Sequence, residues 1–268
     1  MKTRLLSVLT LMLTCGAASA QSISAVRINE VFANNQSLPA PHGRSSDWAE
    51  LVNTSEYVVD LSGARLTDDA TDPFKWVFPS GVLLPASGYL VVLMDNEIPA
   101  AATANGLQNT GFSLGTPGDR LYLYGAGTVG LVDAVEFGLQ VADLTVGRVP
   151  DGLGAWTLCS PTYGAANQDV PLGPASALWV NEWTASPGDG EDWFEILNTG
   201  TLPVALGGLA LTDNLASPSK HRIAALSFVG TGLQAYQMFW ADELVGLGAD
   251  HVSFKLSGDG EIIAIFSP

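Results

Sequence analysis

Two sets of acidic residues with similar spacing are the part of this sequence that could carry chemistry. The first set is Glu30, Asp47 and Glu50, and the second set is Glu182, Asp192 and Glu195. Neighbouring carboxyl groups can act as the acid and the base of a hydrolytic reaction. Each set is therefore a candidate acid–base site.

The neighbours of these carboxylates favour a structural role. Glu50 shares a strand face with Trp48 and Val52, and Glu195 likewise lies between Trp193 and Leu197. A carboxylate on such a face typically accepts backbone N–H groups from a turn. The sequence therefore predicts no catalytic residue, and it predicts these structural residues: Trp48, Glu50, Asn53, Trp193, Glu195 and Asn198.

Acidic turns in the second part of the chain are candidate calcium ligands. Calcium binds several oxygen ligands in flexible loops. No EF-hand spacing is present, and the acidic turns alone leave calcium binding an open possibility. No other cofactor is predicted. The candidate ligands are Asp189, Glu191, Asp192, Asp259 and Glu261.

The remaining motifs do not indicate an enzyme. Residues 125–130 fit G-x-G-x-x-G, but a dinucleotide-binding loop must open a helix, whereas residues 131–137 are short and β-branched. A glycine-rich hairpin turn is predicted instead. His42, His221 and His251 have no zinc-type spacing, and no G-x-S-x-G elbow is present.

An internal repeat organises the chain. Residues 27–31 (RINEV) recur as 179–183 (WVNEW), and residues 47–54 (DWAELVNT) recur as 192–199 (DWFEILNT). Three further matches follow in the same order: LSGARLTD with LGGLALTD, Lys75 with Lys220, and FSL with FKL. The repeat predicts one fold used twice.

Short β-type segments make up each repeat. Residues 89–93 and 121–124 are rich in β-forming residues and are bounded by Gly, Pro, Asn and Asp. The predicted fold class is all-β, with two immunoglobulin-like β-sandwich domains in tandem, the second incomplete at its C-terminus. The predicted boundaries are 1–20 for a signal peptide, 21–168 and 178–268 for the sandwiches, and 169–177 for a linker.

The ordered motifs resemble the lamin tail domain family. The resemblance rests on Ile-Asn-Glu, Asp-Trp-x-Glu-Leu-x-Asn-Thr, Leu-Ser-Gly-x-x-Leu-Thr-Asp, Lys-Trp-x-Phe-Pro and Gly147-Arg148-x-Pro150-Asp151-Gly152. It covers about residues 25–168 in full, and from 178 onward the first part of a second module. It implies an immunoglobulin-like, non-catalytic module, of a kind that also occurs in secreted bacterial proteins.

The second repeat departs from the first at its end. After Tyr124 the first repeat continues through the Gly-Arg-x-Pro-Asp-Gly turn to Asn167, whereas little sequence follows Ile265. A sandwich without its last strands exposes a sheet edge, which natural proteins avoid. We therefore expect a longer native chain or a partner that supplies the strands, with poor hydrogen-exchange protection over 178–268.

The N-terminus has the three parts of a secretory signal peptide. Lys2 and Arg4 precede an apolar run at 5–15, and Ala-Ser-Ala at 18–20 is a cleavage site that would leave Gln21 first. Thr14 before Cys15 argues against a lipoprotein signal. Secretion is predicted, and no stretch is long enough for a membrane span.

Charge and composition narrow the partners. The 268 residues carry 27 acidic and 11 basic side chains, a net charge of −16, and a surface of this kind repels nucleic acid. The family's chromatin contacts are therefore not carried over. The sequence predicts a secreted, non-catalytic interaction or scaffold module for another protein or a surface glycan. The alternative is an accessory region of a larger secreted hydrolase.

Overall fold

The structure, a computed structural model, describes residues 23–39, 43–102, 106, 108–127, 130–186, 188 and 190–267. The predicted signal peptide, Gln21, His42 and Asp189 lie outside these residues. Over the described ranges the regular structure is β-strand, apart from three short 3₁₀ turns at Ile23–Ala25, Ala175–Ala177 and Gly232–Gln234. None of the helical turns described could cross a membrane, since none is long and apolar enough.

In the first half of the chain, the described residues between 23 and 169 form fourteen strands. They are β1 Val26–Phe32, β2 Asp47–Asn53, β3 Val59–Asp60, β4 Arg65–Thr67, β5 Trp76–Val77, β6 Leu83–Leu84, β7 Tyr89–Met94, β8 Ala101–Ala102, β9 Gln108–Asn109, β10 Asp119–Tyr124, β11 Leu131–Phe137, β12 Thr145–Val149, β13 Ala155–Ser160 and β14 Gln168–Asp169. The eight-stranded sheet has the order β14-β13-β12-β1-β2-β7-β9-β8, and a four-stranded sheet has the order β11-β10-β4-β5.

Alternation of apolar residues builds the first core. Side chains of successive strand residues point to opposite faces of a sheet. Leu121 and Leu123 of β10 are therefore buried, whereas Arg120, which points to the opposite face, is exposed. Ile28 and Leu51 of the larger sheet lie in the same core. The predicted all-β, immunoglobulin-like fold class is confirmed.

In the second half, the residues between 175 and 267 that the structure describes form eight strands. They are β15 Leu178–Thr184, β16 Trp193–Asn198, β17 Val204–Ala205, β18 Ala210–Thr212, β19 His221–Arg222, β20 Phe228–Val229, β21 Tyr236–Trp240 and β22 Ala264–Phe266. They form sheets of order β15-β16-β21, β19-β18-β22 and β17-β20. Phe194, Phe239 and Phe254 stack at the centre of a separate core.

The opening hairpin of each half has the same irregularity. In β1 and β2 the register is Ile28 opposite Leu51 and then Glu30 opposite Glu50, so Asn29 is a bulge. In β15 and β16 the register is Val180 opposite Ile196 and then Glu182 opposite Glu195, so Asn181 is a bulge. A β-bulge redirects the side chains beside it.

The two halves differ beyond this hairpin. In the first half β12 pairs with the outer edge of β1, placing Gly147 opposite Glu30 and Val146 opposite Val31. Within the described ranges no strand pairs with the outer edge of β15, which is the edge of its sheet.

The two halves share hydrogen bonds and core residues. The Gly138 N–H donates to the Ala225 carbonyl at 2.9 Å, and the Phe228 N–H donates to the Leu139 carbonyl at 2.9 Å. Phe228 packs in the first core, and Leu139 packs in the second. The halves are therefore joined by an exchange of apolar side chains.

We expect Gly138→Ala to destabilise the protein, because an added Cβ would lie 2.0 Å from Ser227 Oγ and 3.0 Å from Ala224 Cβ. The expected loss in free energy of unfolding is about 1–3 kcal/mol. Urea denaturation measures it, with Gly246→Ala as the matched control, since no atom lies within 4 Å of a Cβ there. Equal stability of the two variants would contradict a packed junction.

Candidate functional site

Glu50 is the centre of a buried polar network. It lies on β2 with no exposed surface. One carboxylate oxygen accepts a hydrogen bond from Asn29 Nδ2 at 3.1 Å, and the other accepts one from the Gly164 N–H at 2.7 Å. Both oxygens of this carboxylate are therefore used inside the protein.

Glu30 on β1 is equally buried and is bonded to the C-terminal strands of the first half. Its oxygens accept hydrogen bonds from Thr145 Oγ1 at 2.6 Å and from Thr162 Oγ1 at 2.8 Å. The Thr162 N–H also donates to it at 3.2 Å. Glu30 thus ties β1 to β12 and to the loop after β13.

Asn29 and Asp151 extend the network to the Gly-Arg-x-Pro-Asp-Gly turn. Asn29 Oδ1 accepts a hydrogen bond from the Gly152 N–H at 2.8 Å. Asp151 accepts one from the Asn167 N–H at 3.0 Å and another from the Tyr89 hydroxyl. We call Asn29, Glu30, Glu50, Tyr89 and Asp151 the carboxylate network.

Burial shifts the titration of this network. It raises the pKa of Glu50 from 4.5 to about 8, against the hydrogen bonds from Asn29 and Gly164, and the nearby charges of Glu30 and Asp151 add to the rise. Burial also raises the pKa of Glu30 and of Tyr89, the latter with help from its bond to Asp151. At a pH between its unfolded-state and folded-state pKa values, each of these groups therefore keeps a proton in the folded state that it would release in the unfolded chain.

A carboxyl with a raised pKa in a cleft would be a catalytic candidate. The carboxylate network differs from that case, because Glu30 and Glu50 have no exposed surface and accept internal hydrogen bonds. A substrate does not contact them in this arrangement. The geometry holds a turn and a loop against a hairpin and leaves neither glutamate beside solvent.

The corresponding residues of the second half lie in a different environment. Glu195 is half-buried and accepts one hydrogen bond, from Asn181 Nδ2 at 2.8 Å. Asn181 and Glu182 are exposed. The hairpin is thus the same in residue type and register, but within the described ranges no turn or loop covers it.

Asp47 and Asp192 make the same contacts in the two halves. Asp47 accepts backbone N–H groups from Asn35 at 3.4 Å and from Leu114 at 3.3 Å. Asp192 accepts those of Ser186 at 2.6 Å and Leu256 at 3.0 Å. Burial raises the pKa of Asp47 to about 6. Both aspartates connect a strand to two loops.

The contacts of Asp192 and Glu261 bear on the calcium candidates. Both Asp192 oxygens accept backbone N–H groups, and Glu261 accepts the Ser257 N–H at 2.7 Å. Glu191 and Asp259 are exposed. The described part of the chain contains no group of three or more His, Cys, Asp or Glu side chains placed to hold a metal ion. Calcium binding stays a prediction.

The predicted structural asparagines cap turns in the same way. Asn53 Nδ2 donates to the Tyr57 carbonyl at 2.7 Å, and its Oδ1 accepts the Ser55 N–H at 3.0 Å. Asn198 Nδ2 donates to Leu202 at 2.9 Å, and its Oδ1 accepts the Gly200 N–H at 2.9 Å. Both are buried at the end of their strand.

The tryptophans divide between core and surface. Trp48 is buried, with its ring edge against Phe32 at 5.5 Å between centroids, and Trp193 is half-buried. Trp179 and Trp183 on β15 are 63% and 61% exposed. These two tryptophans of β15 therefore lie on the surface.

The glycine-rich segment and the histidines fall elsewhere. β10 and β11 pair antiparallel on either side of residues 125–130, which confirms the predicted hairpin, although Thr128 and Val129 lie outside the described residues. His251 Nδ1 lies 2.7 Å from an Asp242 carboxylate oxygen. Burial lowers the pKa of His221.

Sequence reasoning missed the partners of the two glutamates. Thr145 and Thr162 lie far from Glu30 in the chain, and a single threonine gives no signal of such a role. The same holds for Tyr89, which donates to the distant Asp151. The one available signal was the Gly-Arg-x-Pro-Asp-Gly turn, because it contains both Asp151 and Gly152.

The fold and site define an immunoglobulin-like β-sandwich that uses its buried carboxylates as structural contacts. Residues 19–138 match the family model of the Lamin Tail Domain, a non-enzymatic family with this fold. The match ends before β12. Comparison with curated proteins and with solved structures finds no match.

The raised pKa of Glu50 gives stability a definite pH dependence. Since the folded-state pKa lies above the unfolded value, the stabilisation is complete below about pH 4.5 and is lost as the pH rises through about 8. Glu50→Gln should flatten this decline. It should also lower the free energy of unfolding at pH 5 by about 1–3 kcal/mol. The reason is that the NH₂ group of the glutamine would face a hydrogen-bond donor, either Asn29 Nδ2 or the Gly164 N–H.

Urea denaturation from pH 4 to 9 measures both effects. Glu195→Gln, at the matching half-buried position of the second half, is the control for the substitution itself, and Glu50→Gln should depart from the wild-type slope. A Glu50→Gln variant that keeps that slope would contradict the assignment of the proton to Glu50.

Proposed function

We propose that this chain is a secreted, non-catalytic interaction module with two lamin-tail-like units in tandem. The observation that carries the proposal is the use of Glu30 and Glu50, the best acid–base candidates, as buried hydrogen-bond acceptors for β12, its turn and the following loop. Carboxylates that are buried and hydrogen-bonded in this way stabilise the fold, and recognition of a partner then depends on residues at the surface.

Support for a tandem arrangement comes from contacts that recur in both halves. Lys75 Nζ lies 2.6 Å from Asp68 and 4.7 Å from the Phe112 ring centroid. Lys220 Nζ lies 2.5 Å from Asp213 and 5.4 Å from the Phe254 ring centroid. An ion pair with a ring beside it, repeated at the same place in two sandwiches, is what a duplicated domain produces.

Secretion and the class of partner rest on the sequence. The charged, apolar and small-residue parts of residues 1–20 support export. The net charge of −16 disfavours nucleic acid. Exposed tryptophans on β15 favour a protein partner, because aromatic residues are enriched at protein interfaces.

An activity screen tests the non-catalytic proposal. We expect the purified chain and its Glu50→Gln variant to show no turnover of polysaccharide, ester or nucleic-acid substrates above the buffer rate. Turnover by the wild-type chain that Glu50→Gln abolishes would contradict the proposal, provided that circular dichroism shows the variant to be folded.

A further inference from the structure

The outer edge of β15 is an exposed strand edge to which the proposed function assigns no role. In the part of the chain that the structure describes, no strand pairs with this edge. Trp179, Asn181, Glu182 and Trp183 along it are exposed. A bare strand edge is a template for pairing with another chain, and proteins recognise extended peptides by adding a strand there.

The first half shows what covers the same edge when it is occupied. The Ile28 N–H donates to Asp133 at 2.9 Å, and the Ile28 carbonyl accepts Arg148 Nε at 3.1 Å. Thr145 Oγ1 donates to Glu30 at 2.6 Å. A strand with a hydroxyl residue and an arginine three positions later, paired in antiparallel orientation, therefore supplies two of the donors to β1, while Asp133 of β11 accepts the Ile28 N–H.

The β15 edge offers the same acceptors. By sequence correspondence Val180 occupies the place of Ile28, and Glu182 occupies that of Glu30. Glu182 is exposed and Glu195 accepts one hydrogen bond, from Asn181, so both carboxylates have capacity for further donors. The Glu182 carboxylate could therefore accept a hydrogen bond from a hydroxyl group, and the Val180 carbonyl could accept one from a guanidinium group.

A cleft with a mixed polar and apolar lining lies beside this edge. It has a volume of about 650 Å³ and is lined by Val180, Trp183, Leu256 and Ile263, among others. In the first half the corresponding residues Ile28 and Val31 are fully buried in a core that includes Val135 and Phe137 of β11. A strand that adds to β15 would have room in this cleft for an apolar side chain.

We propose that β15 binds an extended strand of another polypeptide, with a Ser or Thr facing Glu182 and an Arg placed to reach the Val180 carbonyl. This inference rests on the proposed function, because it names the partner chemistry of that interaction module. Charge disfavours a second copy of this chain as the occupant, since antiparallel pairing of two β15 edges brings Glu182 and Glu195 of both copies together in a protein of net charge −16.

The experiment uses the whole chain and a fluorescein-labelled peptide with its own residues 141–169, which span β12 to β14. Cys159 is replaced by Ser in the peptide to prevent disulfide formation. Anisotropy should show saturable binding, and hydrogen exchange should show new protection within 178–184. A peptide with Thr145→Val and Arg148→Gln should bind at least about tenfold more weakly, since charged hydrogen bonds are lost.

Variants of the whole chain locate the contact. Glu182→Lys should weaken binding of the peptide about tenfold or more, whereas Glu56→Lys, the same charge change at an exposed site of the first half, should not. Trp183→Ala should also weaken it. Circular dichroism checks that the variants are folded.

Three results would overturn the inference: no saturable binding, equal binding by Glu182→Lys and wild type, or a dimer of the chain that Trp183→Ala dissociates while the peptide fails to bind. The last result would assign the edge to a second copy. None of them produces turnover in the activity screen, so failure of this inference is distinguishable from failure of the proposed function.

Discussion

The cost of burying a carboxylate is the constraint on which this structure depends. Glu50 and Glu30 are removed from water, and such groups are stable only when hydrogen bonds or protons compensate them. The first half supplies both, through Asn29, Thr145, Thr162 and the Gly164 N–H. These bonds fix where β12, its turn and the following loop lie on the hairpin.

The second half has the same hairpin without this cover. Its aspartate, asparagine and lysine contacts match those of the first half, so the loops within each sandwich are held alike. Glu182 and Glu195 keep part of their exposure to water, which removes the need for internal donors. The same sequence pattern therefore has two structural outcomes. In the β1–β2 hairpin its carboxylates are covered and make structural contacts, and in the β15–β16 hairpin they are acceptors exposed to solvent.

Local pattern was enough to predict the fold class and the hairpin at residues 125–130. Those features depend on alternation and turn residues that are close in sequence. The partners of Glu30 lie more than a hundred residues away, and the exposure of Trp183 depends on which strand covers β15, so neither could be predicted from spacing. The junction through Gly138 was also missed, because it depends on tertiary packing of the two halves.

Native-state hydrogen exchange of the whole chain tests the central claim most directly, by comparing matched amides on the two hairpins. We expect the Ile28 N–H, which donates to Asp133, to exchange near the rate set by global unfolding, and the Val180 N–H to exchange far faster. Equal protection at the two positions would contradict the account, because it would mean that the outer edge of β15 is already covered.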